Sequence, residues 1–150
     1  MSSRWGKLLD LMVEGREPSV PFMETLPLPN RVVKWEPGRL WQEWPIDPCV
    51  FHPRGAVFGG FLAALADRSL FLTALTVLED HEAVTTADLN VSFFRPVSEG
   101  TLHLEGEVIH RGKSLVQVEV EFRRDDGKLA VKASASQAII PVPEKWSDAV

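Results

Sequence analysis

The stretch VFGGFLAALADRSLFLTALTVL, Val57–Leu78, constrains this chain more than any other part of it. It reads as an apolar helix opened by two glycines, with Asp67 and Arg68 in its middle. A helix that is apolar nearly all round must be covered on most sides. A bilayer is a poor cover: Phe61–Leu78 is barely long enough to span one, and an Asp and an Arg near its centre would each cost roughly 2.5–3.5 kcal/mol to insert. No other segment approaches a span, so the helix is read as soluble, with no membrane partner. The rest of the chain must supply its cover.

The residues after the helix supply it by alternation. Thr85–Phe94 carries Ala87, Leu89, Val91 and Phe93 on one parity and Thr86, Asp88, Asn90 and Ser92 on the other. Thr101–His110, Leu115–Phe122 and Leu129–Ile140 alternate in the same way, which predicts half-buried strands with one apolar face. The turns between them fall at Pro96–Gly100, Arg111-Gly112-Lys113 and Asp125-Asp126-Gly127, the last two tight enough for hairpins. Before the helix, Val32–Glu36 and Arg39–Trp44 form a further strand pair about Pro37-Gly38. A curved antiparallel sheet wrapped around one long helix, an α+β arrangement, follows.

The N-terminal residues are read separately. Arg4–Glu14 spaces Trp5, Leu8, Leu9, Met12 and Val13 as a short amphipathic helix ended by Gly15. REPSVPFMETLPLPN is too rich in proline for regular helix or a central strand, and is expected as an extended arm. The expected organisation is therefore a helix and arm over 1–30, one domain over 31–141 and a tail over 142–150, with Trp146 tucked back. Leu8–Val13 is short and interrupted by Asp10, unlike a secretory signal. A single cysteine, Cys49, fits a reducing, cytoplasmic setting. The formal charge of -5 argues against a nucleic-acid partner, while leaving room for a local basic patch.

Gly59 and Gly60 stand where the helix begins. The first amides of a helix lack intrahelical acceptors and favour negative charge, and glycine lets a ligand approach them; a tight turn would also explain the pair. Asp67 lies about two turns, roughly 10 Å, further on. Arg68 does not face it, because adjacent helical residues diverge. The acid is either structural, satisfied by hydrogen bonds or by an arginine such as Arg95, or a base or nucleophile at a pocket wall. An oxyanion site and an acid on one helix suggest acyl transfer, but one helix cannot bring both to one carbonyl. A two-fold dimer with antiparallel helices could.

HPRGAVFGGFLAALAD, TTADLNVSFFRPVSEG, GEVIHRGKSLVQVEVEF and DDGKLAVKASAS together resemble the hot-dog fold acyl-CoA thioesterases, in the phenylacetate-pathway and 4-hydroxybenzoyl-CoA thioesterase group. The resemblance runs over 32–140, and the arm also resembles an N-terminal extension of some members. It implies a homodimer, in some cases a dimer of dimers, that hydrolyses an acyl-CoA thioester with no metal and no cofactor beyond the coenzyme A of the substrate. Carried over by position, the Gly59 amide donates to the thioester oxygen, with Gly60 and Phe58 beside the substrate. Asp67 of the partner subunit activates water or attacks directly, and the Thr86 hydroxyl helps hold the water or the carboxylate. Arg111, Gly112, Lys113 and Ser114 form a turn near the coenzyme A phosphates or pantetheine.

Two positions depart from that pattern: His52 replaces an asparagine and Phe58 a histidine. His52 can still donate a hydrogen bond or act as a base, and Phe58 can shape an apolar pocket. These departures keep open a thioester-binding protein with little hydrolysis, and a hot-dog hydratase or dehydratase is a further alternative. GEVIHRGKS has five residues between Gly106 and Gly112, one too many for a phosphate-binding loop, and lies between strands. His81, His103 and His110 form no metal-ligand grouping with Cys49. No G-x-S-x-G occurs. Trp35, Trp41 and Trp44 are read as packing residues.

Overall fold

The computed structural model describes residues 3–28 and 31–146. Its elements run α1 (Arg4–Val13), α2 (Pro21–Thr25), β1 (Arg31–Glu36), β2 (Arg39–Pro45), α3 (Gly59–Leu75), β3 (Glu82–Phe93), β4 (Thr101–Arg111), β5 (Leu115–Arg123) and β6 (Leu129–Pro141), with single 3-10 turns at Pro48–Val50 and Glu144–Trp146. The strands form one six-stranded sheet in the order β1-β2-β4-β5-β6-β3, antiparallel at each junction.

Leucine and alanine dominate α3, which suits a helix on propensity, and tertiary burial decides its place. Phe61, Leu65, Ala66, Leu70 and Ala74 point in different directions around the axis, and all are buried. The helix packs on β2 through β6. The α1 helix closes another side, burying Trp5 and Leu9, and the Trp5 indole N–H donates to the Glu82 carbonyl at 2.9 Å. Helix and sheet approach closely at Gly106 of β4, where an added Cβ would stand 2.0 Å from Thr73 Oγ1. Gly106 is what lets α3 lie so near the sheet. Trp44 packs on Phe61, with ring centroids 5.0 Å apart, as a packing role for that residue predicts.

Four details depart from the sequence reading. The proline-rich arm does hold a helix, the five-residue α2, because Pro21 opens it, where a missing N–H costs nothing. The long helix stops at Leu75 rather than running to Leu78, and Thr76 turns the chain by donating to the Thr73 carbonyl at 2.7 Å. A register shift between Thr86 and Asp88 places a bulge at Ala87 in β3. Thr86 pairs with buried Gln137, and beyond the bulge Leu89 pairs with buried Ala135. Directly opposed residues share a face, so Thr86 and Leu89 both point inward, although simple alternation separates them. Finally, this inner apolar row is not half-buried throughout: Leu89 and Phe93 stay 38% and 52% exposed. The reason is topological, since β3 is an edge strand bonded only to β6.

Candidate active site

Asp67 is half-buried on α3 and accepts a hydrogen bond from Thr86 Oγ1 at 2.8 Å. The same hydroxyl lies 3.3 Å from the side-chain amide of Gln137. Gln137 is fully buried, and its Nε2 otherwise meets no acceptor among the described residues. A hydroxyl has one proton; given to Asp67, it leaves Thr86 only lone pairs toward Gln137. With the amide turned so that Nε2 rather than Oε1 faces Thr86, the hydroxyl accepts from Gln137 while it donates to Asp67. The result is a chain from Gln137 N–H to Thr86 O–H to the Asp67 carboxylate. Among the described residues no cation forms an ion pair with Asp67. Arg95 instead donates to the Leu129 carbonyl at 2.7 Å, and Arg68 is paired with Glu17.

A second cluster forms where α3 begins. The His52–Ala56 loop is closed by the His52 N–H on the Ala56 carbonyl (2.9 Å), and its ends are held by Val57 N–H on the Val97 carbonyl (2.8 Å) and Phe58 N–H on the Val50 carbonyl (3.1 Å). Phe58 is thereby extended and gives the helix no side-chain cap. The amides of Gly59 and Gly60 therefore open α3 with no acceptor from that side chain. An added Cβ would stand 2.6 Å from the Phe58 ring at Gly60 and 3.3 Å from the Phe93 ring at Gly59. His52 Nδ1 accepts the Arg54 N–H at 3.1 Å. The neutral ring thus carries its proton on Nε2, an arrangement that suits donation better than proton abstraction.

Arg111, Gly112, Lys113 and Ser114 form a third group, the β4–β5 turn. Gly112 N–H bonds the Leu115 carbonyl, and the Ser114 carbonyl accepts Ile139 N–H, both at 2.8 Å. The register brings this turn to the Thr86 end of the sheet, since Gln137 pairs with both Thr86 and Val116. Arg111 forms an ion pair with Glu82, and Lys113 is exposed. Burial pushes the Glu82 carboxyl up, but the Arg111 hydrogen bond, the Glu79 amide and the nearby positive charge outweigh it and hold the group below the usual range.

A cavity of about 720 Å³ lies between α1, the arm, α3 and β3, with Asp67 and Thr86 in its wall. The protomer thus joins Asp67, Thr86 and an apolar cavity, but keeps Gly59 about 12 Å from Asp67 along the helix. Among the described residues no three His, Cys, Asp or Glu gather as metal ligands, and no helix is long and apolar enough to cross a membrane. Sequence reasoning missed Gln137, although a signal existed: it is a polar residue on the parity of Val131, Ala133 and Ala135.

The Thioesterase superfamily profile matches residues 54–131. A Saccharolobus solfataricus protein provisionally named an esterase is 34% identical over 73% of this chain and 78% of its own. The proofreading thioesterase EntH of Klebsiella pneumoniae is 28% identical over 70% and 77%. A crystal structure from Ralstonia eutropha JMP134, described as a phenylacetic acid degradation-related protein and provisional thioesterase, superposes with a TM-score of 0.76 at 28% identity, covering 87% of this chain and 98% of its own. The smu.793 protein of Streptococcus mutans, solved with acetyl CoA, shares the fold at a TM-score of 0.69 and 18% identity, over 75% and 89%.

Proposed function

The chain belongs to the thioesterase superfamily and has its hot-dog fold, and we propose on that premise that it hydrolyses acyl-CoA thioesters at sites shared between two copies. One observation carries the reading: Asp67 is held by Thr86 at a cavity wall and forms no ion pair among the described residues, Arg68 of the same wall being paired with Glu17, as a base or nucleophile requires. The oxyanion donor must then come from elsewhere, because Gly59 of the same helix lies about 12 Å away. An isologous dimer supplies it twice. Exposed Leu89, Phe93, Phe94 and Phe58, lying along or beside the unpaired edge of β3, support that dimer, since such an edge invites pairing with a copy.

In this reading Asp67 takes a proton from water, which attacks the thioester carbonyl. The oxygen becomes an oxyanion held by the Gly59 N–H, an interaction worth about 2.7–4 kcal/mol in comparable sites. Collapse expels the thiolate, which recovers the proton. His52 donates through Nε2 to the carbonyl or the water. Gly60 and Phe58 border the acyl thioester, while Lys113 and the Arg111–Ser114 turn meet the coenzyme A moiety. Thioesterase neighbours and the acetyl CoA-bound structure support the substrate class. The test is turnover of aliphatic and aromatic acyl-CoAs by wild type and Asp67→Asn, with binding measured in parallel. Loss of turnover with retained binding in the variant is expected. Binding without turnover by the wild type would overturn hydrolysis in favour of a thioester-binding role.

A further inference from the structure

Arg68 follows Asp67 on α3 and also faces the cavity. Its side chain is only 8% exposed, and it is ion-paired with Glu17 of the arm, itself 21% exposed. The Phe22 ring lies 5.3 Å from the same guanidinium. The arm is fastened on both sides of this contact. On one side α1 buries Trp5, Leu9 and Met12. On the other Leu28 is buried and the Pro27 carbonyl accepts the Trp44 indole N–H at 3.1 Å. Between these anchors Phe22 and Leu26 remain exposed, and Glu17 ties the span to α3 by charge.

We propose that Glu17 is a specificity-determining residue: by occupying Arg68 it makes the cavity select uncharged aliphatic or aryl acyl groups against acyl groups ending in a carboxylate. This rests on the thioesterase reading of the same site. With Asp67 at the wall, an acyl group whose carbonyl lies at that carboxylate extends into the space that the arm and α1 enclose. There it meets apolar side chains such as Leu8, Phe71 and Val84. The charged groups in that wall are Asp67, Glu17 and Arg68 among the described residues, two negative and one positive. A terminal carboxylate entering there is repelled by the first two, and can reach the third only by displacing a carboxylate already paired with it. Leaving a carboxylate buried and unpaired is costly. An uncharged chain meets no such cost and gains apolar burial. Removing the Glu17 charge reverses the arithmetic, since the Arg68 Nη2 that Glu17 holds is then open to a carboxylate of the ligand.

The experiment compares hexanoyl-CoA with adipyl-CoA, which has the same six-carbon chain but a terminal carboxylate. Ratios of kcat/KM are measured for wild type, Glu17→Gln, Glu17→Asp and Glu17→Gln/Arg68→Met, with thermal unfolding as the check on folding. Wild type is expected to prefer hexanoyl-CoA. Glu17→Gln is expected to narrow the preference by about tenfold or more, chiefly through KM for adipyl-CoA. Glu17→Asp falls between, and the double variant loses the gain. A hexanoyl-to-adipyl ratio unchanged in folded Glu17→Gln would overturn the proposal, as would a gain that survives loss of Arg68. Calorimetric binding of the two non-hydrolysable thioether analogues to the same variants separates the two levels. Absent turnover with the predicted shift in binding defeats hydrolysis alone, and absent shift in binding defeats the role of Glu17.

Discussion

Thr86 donates to Asp67 at 2.8 Å across the gap between strand and helix, and the bulge at Ala87 lets Leu89 share that inner face. The bond fixes one carboxylate oxygen and leaves the other for a water. Gln137 stands behind it, so the acid is oriented by a relay rather than by a cation. Thr86→Val is expected to lower kcat by about 10–100-fold, the worth of a hydrogen bond to a charged group, with KM little changed. Gln137→Leu should lower kcat less, because it loosens Thr86 rather than Asp67. Steady-state kinetics on folded variants decide this: equal losses in both variants, or losses confined to KM, would contradict the relay.

Gly106 and Thr73 meet where sheet and helix lie close together. Gly106→Ala places a methyl where the Thr73 side chain leaves no space, and overpacking of this kind costs about 1–3 kcal/mol. Denaturant unfolding should report that loss, and Gly106→Ala/Thr73→Ala should recover part of it. A neutral Gly106→Ala would show that the helix can stand off from the sheet.

The Glu82–Arg111 pair sets a pH dependence whose sign is definite. Glu82 titrates below its ordinary 4.5 in the folded chain, so ionised Glu82 stabilises the fold above that value. The contribution is lost as pH falls through the depressed folded value. Wild type should therefore exceed Glu82→Gln in Tm at neutral pH, by a stability difference of no more than about 1 kcal/mol for a partly exposed pair. The two should converge in acid. A difference that grows on acidification would contradict the assignment.

The uncovered inner row of β3 predicts an assembly. Leu89→Glu puts a charge on a side chain that is 38% exposed in the protomer, so the isolated fold should tolerate it. Light scattering is expected to show a dimer for wild type and a shift to monomer for Leu89→Glu, with turnover falling in step. A dimeric variant with full activity would move the interface away from β3.

Much of the fold was legible in the chain. The strand alternation, the Pro37-Gly38 turn and the helix opening at Gly59 are local signals, and the structure places each of them. What escaped was non-local. The bulge at Ala87 depends on how β3 registers with β6, which no window of β3 records. Alternation alone puts Thr86 on the opposite face from Leu89, and only the resemblance to thioesterases singled it out. Gln137 was visible as a polar break in an apolar parity, but its meaning needs Thr86 opposite. Glu17 had no local mark, because it meets Arg68 from 51 residues away.

The most direct test of a shared site is complementation between two inactive variants. Asp67→Asn removes the acid. Gly59→Pro removes the oxyanion N–H at the first helical position, where proline is accepted, and Phe58 before it is already extended, at φ -70° and ψ 147°. Each variant alone should be inactive toward the best acyl-CoA substrate. When the two are mixed, dissociated and reassembled in equal amounts, half the dimers are mixed and each regains one intact site. Activity should return to about a quarter of wild type. No recovery from demonstrably mixed dimers would mean that acid and oxyanion donor act within one chain, and the shared site would be contradicted.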